Sequence, residues 1–305
     1  MRVLVLGVPE GVADALPGCE ELGAELVGII LSKPEEPFFP EVRTWADAGG
    51  CWHATVDRLR DDALLDHVAR ELRPDLLLAV GFNTKVPGAW LKLAPLGAVN
   101  LHPSLLPRLR GPCPQFWAIA RGETRTGVTA HYMTERFDDG PIIAAERIEI
   151  DAADTMGSLL DKFKTAEVRL FHRVIEDFSA AGRRPCLAQN DSAATWAPKV
   201  TAGDLEIDVF GGMERAMRLV RAANPHYGAR TRIGGRWAAV YQARASAAER
   251  RRAAVGETTI EDGVPTLWCV DGGLVPEVLH LEGVGLIDHW RLATILGEKS
   301  LKIAA

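Results

Sequence analysis

Three stretches of the chain, Arg2-Val-Leu-Val-Leu-Gly7, Glu25 to Leu31 and Asp75-Leu-Leu-Leu-Ala-Val-Gly81, are short apolar runs rich in branched side chains. Runs of this kind predict strands buried on both faces, as in a parallel sheet. Between them, Gly11 to Leu22 and Arg43 to Ala48 have helical patterns. Asp61 to Leu72 places Leu64, Leu65, Val68 and Leu72 on one face of a helix that Pro74 stops. The alternation of strand and helix predicts βαβ units and an open, mainly parallel, twisted sheet.

Further along, Gly97-Ala-Val-Asn100 reads as the next strand and 113–121 as a helix. Gly127 to Met133 and Pro141 to Ile150 read as two more strands, and Thr155 caps a long amphipathic helix reaching Phe178. From Arg183 to Asp204 the periodicity lapses into Pro, Asn, Asp, Ser and Gly, which predicts a linker. Gly212 to Ala223 is then helical, and β-like runs at Trp237 to Tyr241, Thr266 to Val270 and Glu277 to Leu281 predict a smaller, mainly β domain. The expected organisation is a domain over 1–185, a linker over 186–204 and a second domain over 205–305.

With 305 residues, 47% of them apolar, the chain has material for two ordinary cores. No apolar run approaches the roughly 20 residues of a membrane-spanning helix, and the start turns acidic at Glu10, too early for a signal peptide. A cytoplasmic protein is expected. Five scattered cysteines without a CxxC pair indicate neither a disulfide framework nor a zinc cage. The net charge of −6 argues mildly against a polyanion as the main partner. Gly7-Val-Pro-Glu-Gly11 does not fit GxGxxG, so no dinucleotide pocket is indicated.

The candidate chemistry lies where an apolar run breaks into Asn100-Leu-His-Pro-Ser-Leu-Leu-Pro-Arg-Leu-Arg-Gly111, with Arg136-Phe-Asp-Asp-Gly140 downstream. Open parallel sheets bind ligands at such strand ends. Asn100 and His102 share one face by alternation, so an amide and an imidazole could act together on a developing oxyanion while an aspartate manages the imidazole proton. The same residues also allow a structural account, in which His102 meets a loop carbonyl and Asp138 caps a turn.

The string Asn-Leu-His-Pro-Ser-Leu-Leu-Pro with Arg-Gly after it, then Gly127-Val-Thr, then Asp138-Asp-Gly140, resembles the folate-dependent formyltransferases. That family includes methionyl-tRNA formyltransferase, glycinamide ribonucleotide transformylase and the sugar-nucleotide N-formyltransferases. The resemblance implies a Rossmann-like formyltransferase core with a smaller, mainly β (OB-like) C-terminal domain. Carried over by position, the catalytic residues are Asn100, His102 and Asp138, the last chosen over Asp139 by its spacing to Gly140. The implied reaction is attack of a neutral amine on the formyl carbon of 10-formyltetrahydrofolate as co-substrate, without a metal. The family places the pterin against two loops, here Gly81, Phe82, Asn83, Thr84 and Val86 in one and Phe137 and Asp139 in the other. Phe82 is equally readable as a core aromatic. Ser104, Arg110, Gln115 and Trp117 lie near the motif as acceptor contacts or as structural residues, and His131 is left outside the triad as a packed strand histidine.

For the acceptor, the family's tRNA enzyme carries a long basic insertion after its second strand, whereas this chain has the short acidic Ser32-Lys-Pro-Glu-Glu-Pro-Phe-Phe-Pro-Glu41. A small-molecule amine or hydroxylamine is therefore the expected substrate, such as an amino-sugar nucleotide or an amino-acid-derived precursor, with tRNA less favoured. The alternatives are methionyl-tRNA formyltransferase, a 10-formyltetrahydrofolate hydrolase and a folate-binding pseudoenzyme. No membrane partner is expected, and a homodimer is compatible with the sequence. The basic run Glu249-Arg-Arg-Arg252 reads as a solvated loop.

Overall fold

The computed structural model describes residues 1–32, 39–250 and 252–303. The chain divides into two compact units, one made of Met1–Pro114, Arg125–Glu149 and Asp161–Pro198, the other of Gln115–Thr124, Ile150–Leu160 and Lys199–Ala305.

The first unit is built on a seven-stranded sheet. Its strands are β1 (Arg2–Gly7), β2 (Glu25–Leu31), β3 (Trp52–Thr55), β4 (Leu76–Val80), β5 (Ala98–His102), β6 (Arg125–Tyr132) and β7 (Ile142–Glu149), in the spatial order 3-2-1-4-5-6-7. The first five are parallel, and β6 and β7 are added antiparallel. This is the open, mainly parallel sheet that the continuous apolar runs predict, and the Rossmann-like core that the family resemblance implies. Val3 to Leu6 and Leu76 to Val80 are wholly buried, because helices cover both faces of a parallel sheet. Each fully buried Leu or Val contributes about 1.5–3 kcal/mol relative to exposure.

Helices α1 (Pro9–Ala13), α2 (Phe39–Ala48), α3 (Asp62–His67), α4 (Gly88–Leu91), α5 (Pro114–Ala120) and α6 (Met156–Ala181) follow in chain order. The first is shorter than the sequence pattern suggests, since hydrogen-bonded turns carry the chain from Asp14 to Gly23. Asp61 caps α3 by accepting from the Ala63 and Leu64 N–H groups at 2.9 and 3.3 Å. The helix then widens into a π turn over Val68–Leu72 and ends at Arg73 in the left-handed region. Strand β3 escapes the pattern because its residues are only partly buried.

The segment read as a linker runs in part along this unit. Leu187 exchanges both backbone hydrogen bonds with Ile142, and Thr195 to Ala197 pair with Arg110. Lys33 to Phe38, which hold most of the acidic stretch, lie outside the described residues, as does Arg251 of the basic run.

In the second unit, α7 (Met213–Ala223) precedes an antiparallel sheet of β8 (Ala229–Ile233), β9 (Arg236–Ala245), β10 (Thr258–Glu261), β11 (Val264–Trp268), β12 (Gly273–Leu281) and β13 (Gly285–Asp288). A last helix, α8 (His289–Ile303), packs on β11 and β12. This is the smaller, mainly β part of the fold. Among the described residues no helix is long and apolar enough to cross a membrane.

Candidate active site

Strand β5 delivers Asn100 and His102 to the carboxyl end of the parallel sheet, on the face they share by the two-residue repeat. Its antiparallel neighbour β6 runs in a register that sets Asn100 opposite His131 and His102 opposite Thr129. Cross-strand partners stand about 4.5–5.5 Å apart at Cβ, so the pairing brings the amide and the second imidazole together. The Asn100 Nδ2–H donates to His131 Nε2 at 3.2 Å, and His131 Nδ1–H donates to the Tyr132 carbonyl at 3.0 Å. These two contacts specify the neutral Nδ1–H tautomer of His131 and use one N–H of the amide. The other amide N–H has no protein partner among the described residues.

The carboxylate comes from the loop between β6 and β7. Asp138, at φ 55°, directs Oδ1 to 3.5 Å from His102 Nδ1 and 3.9 Å from His131 Nε2. Its Oδ2 accepts from the Gly111 N–H at 2.9 Å, and His102 Nε2–H donates to the Leu109 carbonyl at 3.0 Å. The structural contacts and the approach of Asp138 to His102 thus coexist. Asp139 is turned away, with its carboxylate held by Thr134 and Arg136.

Burial, reinforced by the neighbouring His102 and opposed by Asp138, pushes the His131 imidazolium down to about 4, so this ring stays neutral and serves as an acceptor for Asn100. Because the folded value lies below the ordinary 6.5, the unfolded chain takes up the extra proton first. This contribution to stability is complete above about pH 6.5 and is lost as pH falls toward 4. In His131→Gln the drop in melting temperature between about pH 7.5 and about pH 4.5 should shrink relative to the wild type. An unchanged drop would mean that His131 protonates freely in the folded chain.

A cavity beside these groups is walled by Phe82, Thr84, Val86, Asn100, Phe137 and Asp138, together with Lys85, His131, Met133 and Glu135. Phe137 is 58% exposed at its rim. A second pocket of about 830 Å³ shares Thr84, Lys85 and Glu135 with it and reaches Asn83, Arg58 and Arg60. Gly81 is not on either wall. Ser104 is buried, its hydroxyl donating to the Arg108 carbonyl. Arg110 is 5% exposed and committed to Gln189 and Asp191. Gln115 and Trp117 fall in the second unit, where Trp117 meets Phe116 edge-on and lies under Arg121. Gln189 is the site residue that the sequence pattern does not single out, and His131, read as a packed strand histidine, is the partner of Asn100. The alternation Thr129, His131, Met133 marks one face of β6, but only the β5–β6 register shows what that face meets. Among the described residues no three or more His, Cys, Asp or Glu side chains gather as metal ligands would.

An amide donor, an imidazole–carboxylate pair and an aromatic-walled cavity at a strand end are the equipment of acyl-level group transfer. The formyl transferase family model matches residues 34–175. A methionyl-tRNA formyltransferase of Pelobacter propionicus is 30% identical over 311 residues, covering 99% of this chain and 91% of its own. The chain belongs to the folate-dependent formyltransferase family. Among solved structures, the sugar 3N-formyl transferase WlaRD shares the fold at a TM-score of 0.64 and 14% identity, over 90% of this chain and 96% of that one. HypX from Aquifex aeolicus, solved with tetrahydrofolic acid, shares it at a TM-score of 0.63 and 19% identity, over 96% of this chain but only 46% of HypX.

Proposed function

We propose that this chain moves the formyl group of 10-formyltetrahydrofolate to a primary amine, and that the amine is the α-amino group of methionyl-tRNA. The observation that carries the reaction is the free N–H of Asn100, held in place by His131 on the wall of a cavity that also contains Asp138, Phe82 and Phe137. Phe82, Phe137 and Val86 give the small cavity of about 50 Å³ beside Asn100 an apolar wall for one edge of the pterin, and the adjoining pocket of about 830 Å³ has room for the rest of the folate. As the neutral amine attacks, negative charge grows on the formyl oxygen, and Asn100 donates to it. Both ring nitrogens of His102 already face protein groups, so the proton passes from the amine to the departing nitrogen by way of Asp138 on the cavity wall, with His102 beside Asp138 Oδ1 balancing its charge.

For the acceptor, support comes from relatives matched along almost the whole chain, second unit included, that bear the methionyl-tRNA formyltransferase name. Residues 199–305 carry 14 Lys and Arg against 13 Asp and Glu, so the negative surplus resides in residues 1–198. On β8 and β9, Arg230 and Arg232 stack on the Trp237 ring at 4.7 and 4.5 Å, a cationic and aromatic strip suited to a phosphate backbone. The small-molecule acceptor favoured by the acidic Ser32 to Glu41 stretch becomes the second reading.

The test is purified protein with 10-formyltetrahydrofolate and either methionyl-tRNA, a dTDP-amino sugar or no amine, followed by mass spectrometry. Formylmethionyl-tRNA is the expected product. A formylated sugar with methionyl-tRNA untouched would establish the second reading, and formate released without any amine would establish a hydrolase. Arg230→Ala with Arg232→Ala should weaken tRNA binding and lower the slope of log affinity against log salt by about one to two, as loss of phosphate contacts requires. An unchanged slope would remove this strip from the tRNA interface.

A further inference from the structure

We propose that Gln189 is a positioning residue that aims Asp138 at His102, latching together the two loops that meet at the site; this rests on the reading of Asp138 as the catalytic partner of His102. Gln189 stands in the segment that reads as a linker, 51 residues after Asp138. Its Nε2 donates to the carbonyls of Asp138 and Gly140 at 2.9 and 2.7 Å. Its Oε1 accepts from Arg110 Nε and Nη2 at 3.0 and 2.8 Å. Both amide hydrogens and the amide oxygen are therefore engaged, the donors on the Asp138 loop and the acceptor on the loop after β5.

Arg110 is a nearly buried cation that needs such partners, and Asp191 Oδ1 supplies a further one at 2.8 Å. The next residue, Gly111, bonds Asp138 Oδ2 through its N–H at 2.9 Å. Asp138 is thus held at its backbone by Gln189 and at its side chain by Gly111, and only Oδ1 is left to approach His102. Its left-handed φ of 55° is one that aspartate tolerates but does not prefer, so the orientation depends on the bonds on either side of it. A glutamate at 189 separates the two halves of the latch. It keeps and strengthens the bond to Arg110, but it cannot donate to the two carbonyls and sets a negative oxygen against them.

The experiment is steady-state formylation of methionyl-tRNA by Gln189→Glu and Gln189→Leu, each in the wild-type and the Asp138→Asn background. In the wild-type background kcat should fall about 10–100-fold with KM for 10-formyltetrahydrofolate within about threefold. In the Asp138→Asn background the same change should cost less than about threefold, because the group it positions is gone. Gln189→Glu, which retains the tie to Arg110, carries the test where Gln189→Leu does not fold. Equal losses in both backgrounds, or a loss lying wholly in KM, overturn the latch. Wild-type turnover by Asp138→Asn alone overturns the role of Asp138 and the latch with it. If the wild-type protein leaves methionyl-tRNA unmodified, the acceptor reading fails by itself, and a crystal structure of Gln189→Glu decides. An Oδ1 to His102 Nδ1 separation opened beyond about 4 Å supports the latch, and an unchanged one overturns it.

Discussion

Asn100→Ala should lower kcat by about 100- to 1,000-fold, the range for loss of one oxyanion donor, with the affinity for a non-reacting folate nearly unchanged. The size follows from how the amide is held. His131 takes one N–H and is itself fixed by the Tyr132 carbonyl, so the remaining N–H is aimed before substrate arrives and needs no reorganisation during the reaction. Asn100→Asp is nearly the same shape but removes both donors and sets a carboxylate where negative charge develops, so it should be at least as damaging. The measurement is single-turnover formylation with a parallel binding titration of 5-formyltetrahydrofolate. Turnover within tenfold of wild type in a folded Asn100→Ala protein, a loss of less than about 1.4 kcal/mol, would remove Asn100 from the oxyanion site.

Gly140→Ala should unfold the site loop and cost the protein roughly 3–5 kcal/mol, the range of severe overpacking and backbone clashes. A Cβ at this position would lie 1.7 Å from the Tyr132 carbonyl oxygen, a backbone atom of β6 that cannot move without breaking the sheet. The loop would have to leave β6, and it carries Asp138 and accepts from Gln189 at Gly140 itself. Thermal unfolding should show a melting temperature lower by several degrees, roughly 6–15 °C for a cost of this size. Turnover should fall with it even at temperatures where the variant remains folded. A variant with wild-type melting temperature and kcat would show that the loop does not need this close approach.

Much of the first unit is legible along the chain because the information is local. A strand buried on both faces must be apolar at every position, and β1, β2 and β4 declare themselves in that way. Strand β3 does not, because its side chains are partly exposed and its four residues are too few to show a period. The first helix is over-read for a related reason: apolar residues at helical spacing between Asp14 and Leu22 fit equally well on consecutive turns. The pairs β8, β10 and β13 with their neighbours, and helix α8, are decided by antiparallel contacts within the second unit rather than by pattern.

By itself, the sequence of this protein determined which residues are the candidates for the site. Asn100 and His102, two positions apart at the end of an apolar run, share a strand face by alternation, and the Asp-Asp-Gly turn offers a carboxylate. What only the tertiary structure decided is which groups hold those residues in place. The β5–β6 register puts His131 on Asn100, and the return of the chain at Gln189 joins Arg110, 79 residues earlier, to the Asp138 loop. It also turned Asp138 toward His102 and Asp139 away. Alternation within a strand is a property of neighbouring residues and can be read from their order. Register and long-range hydrogen bonds depend on which distant surfaces the folded chain brings within about 3 Å of each other, and no local pattern encodes that.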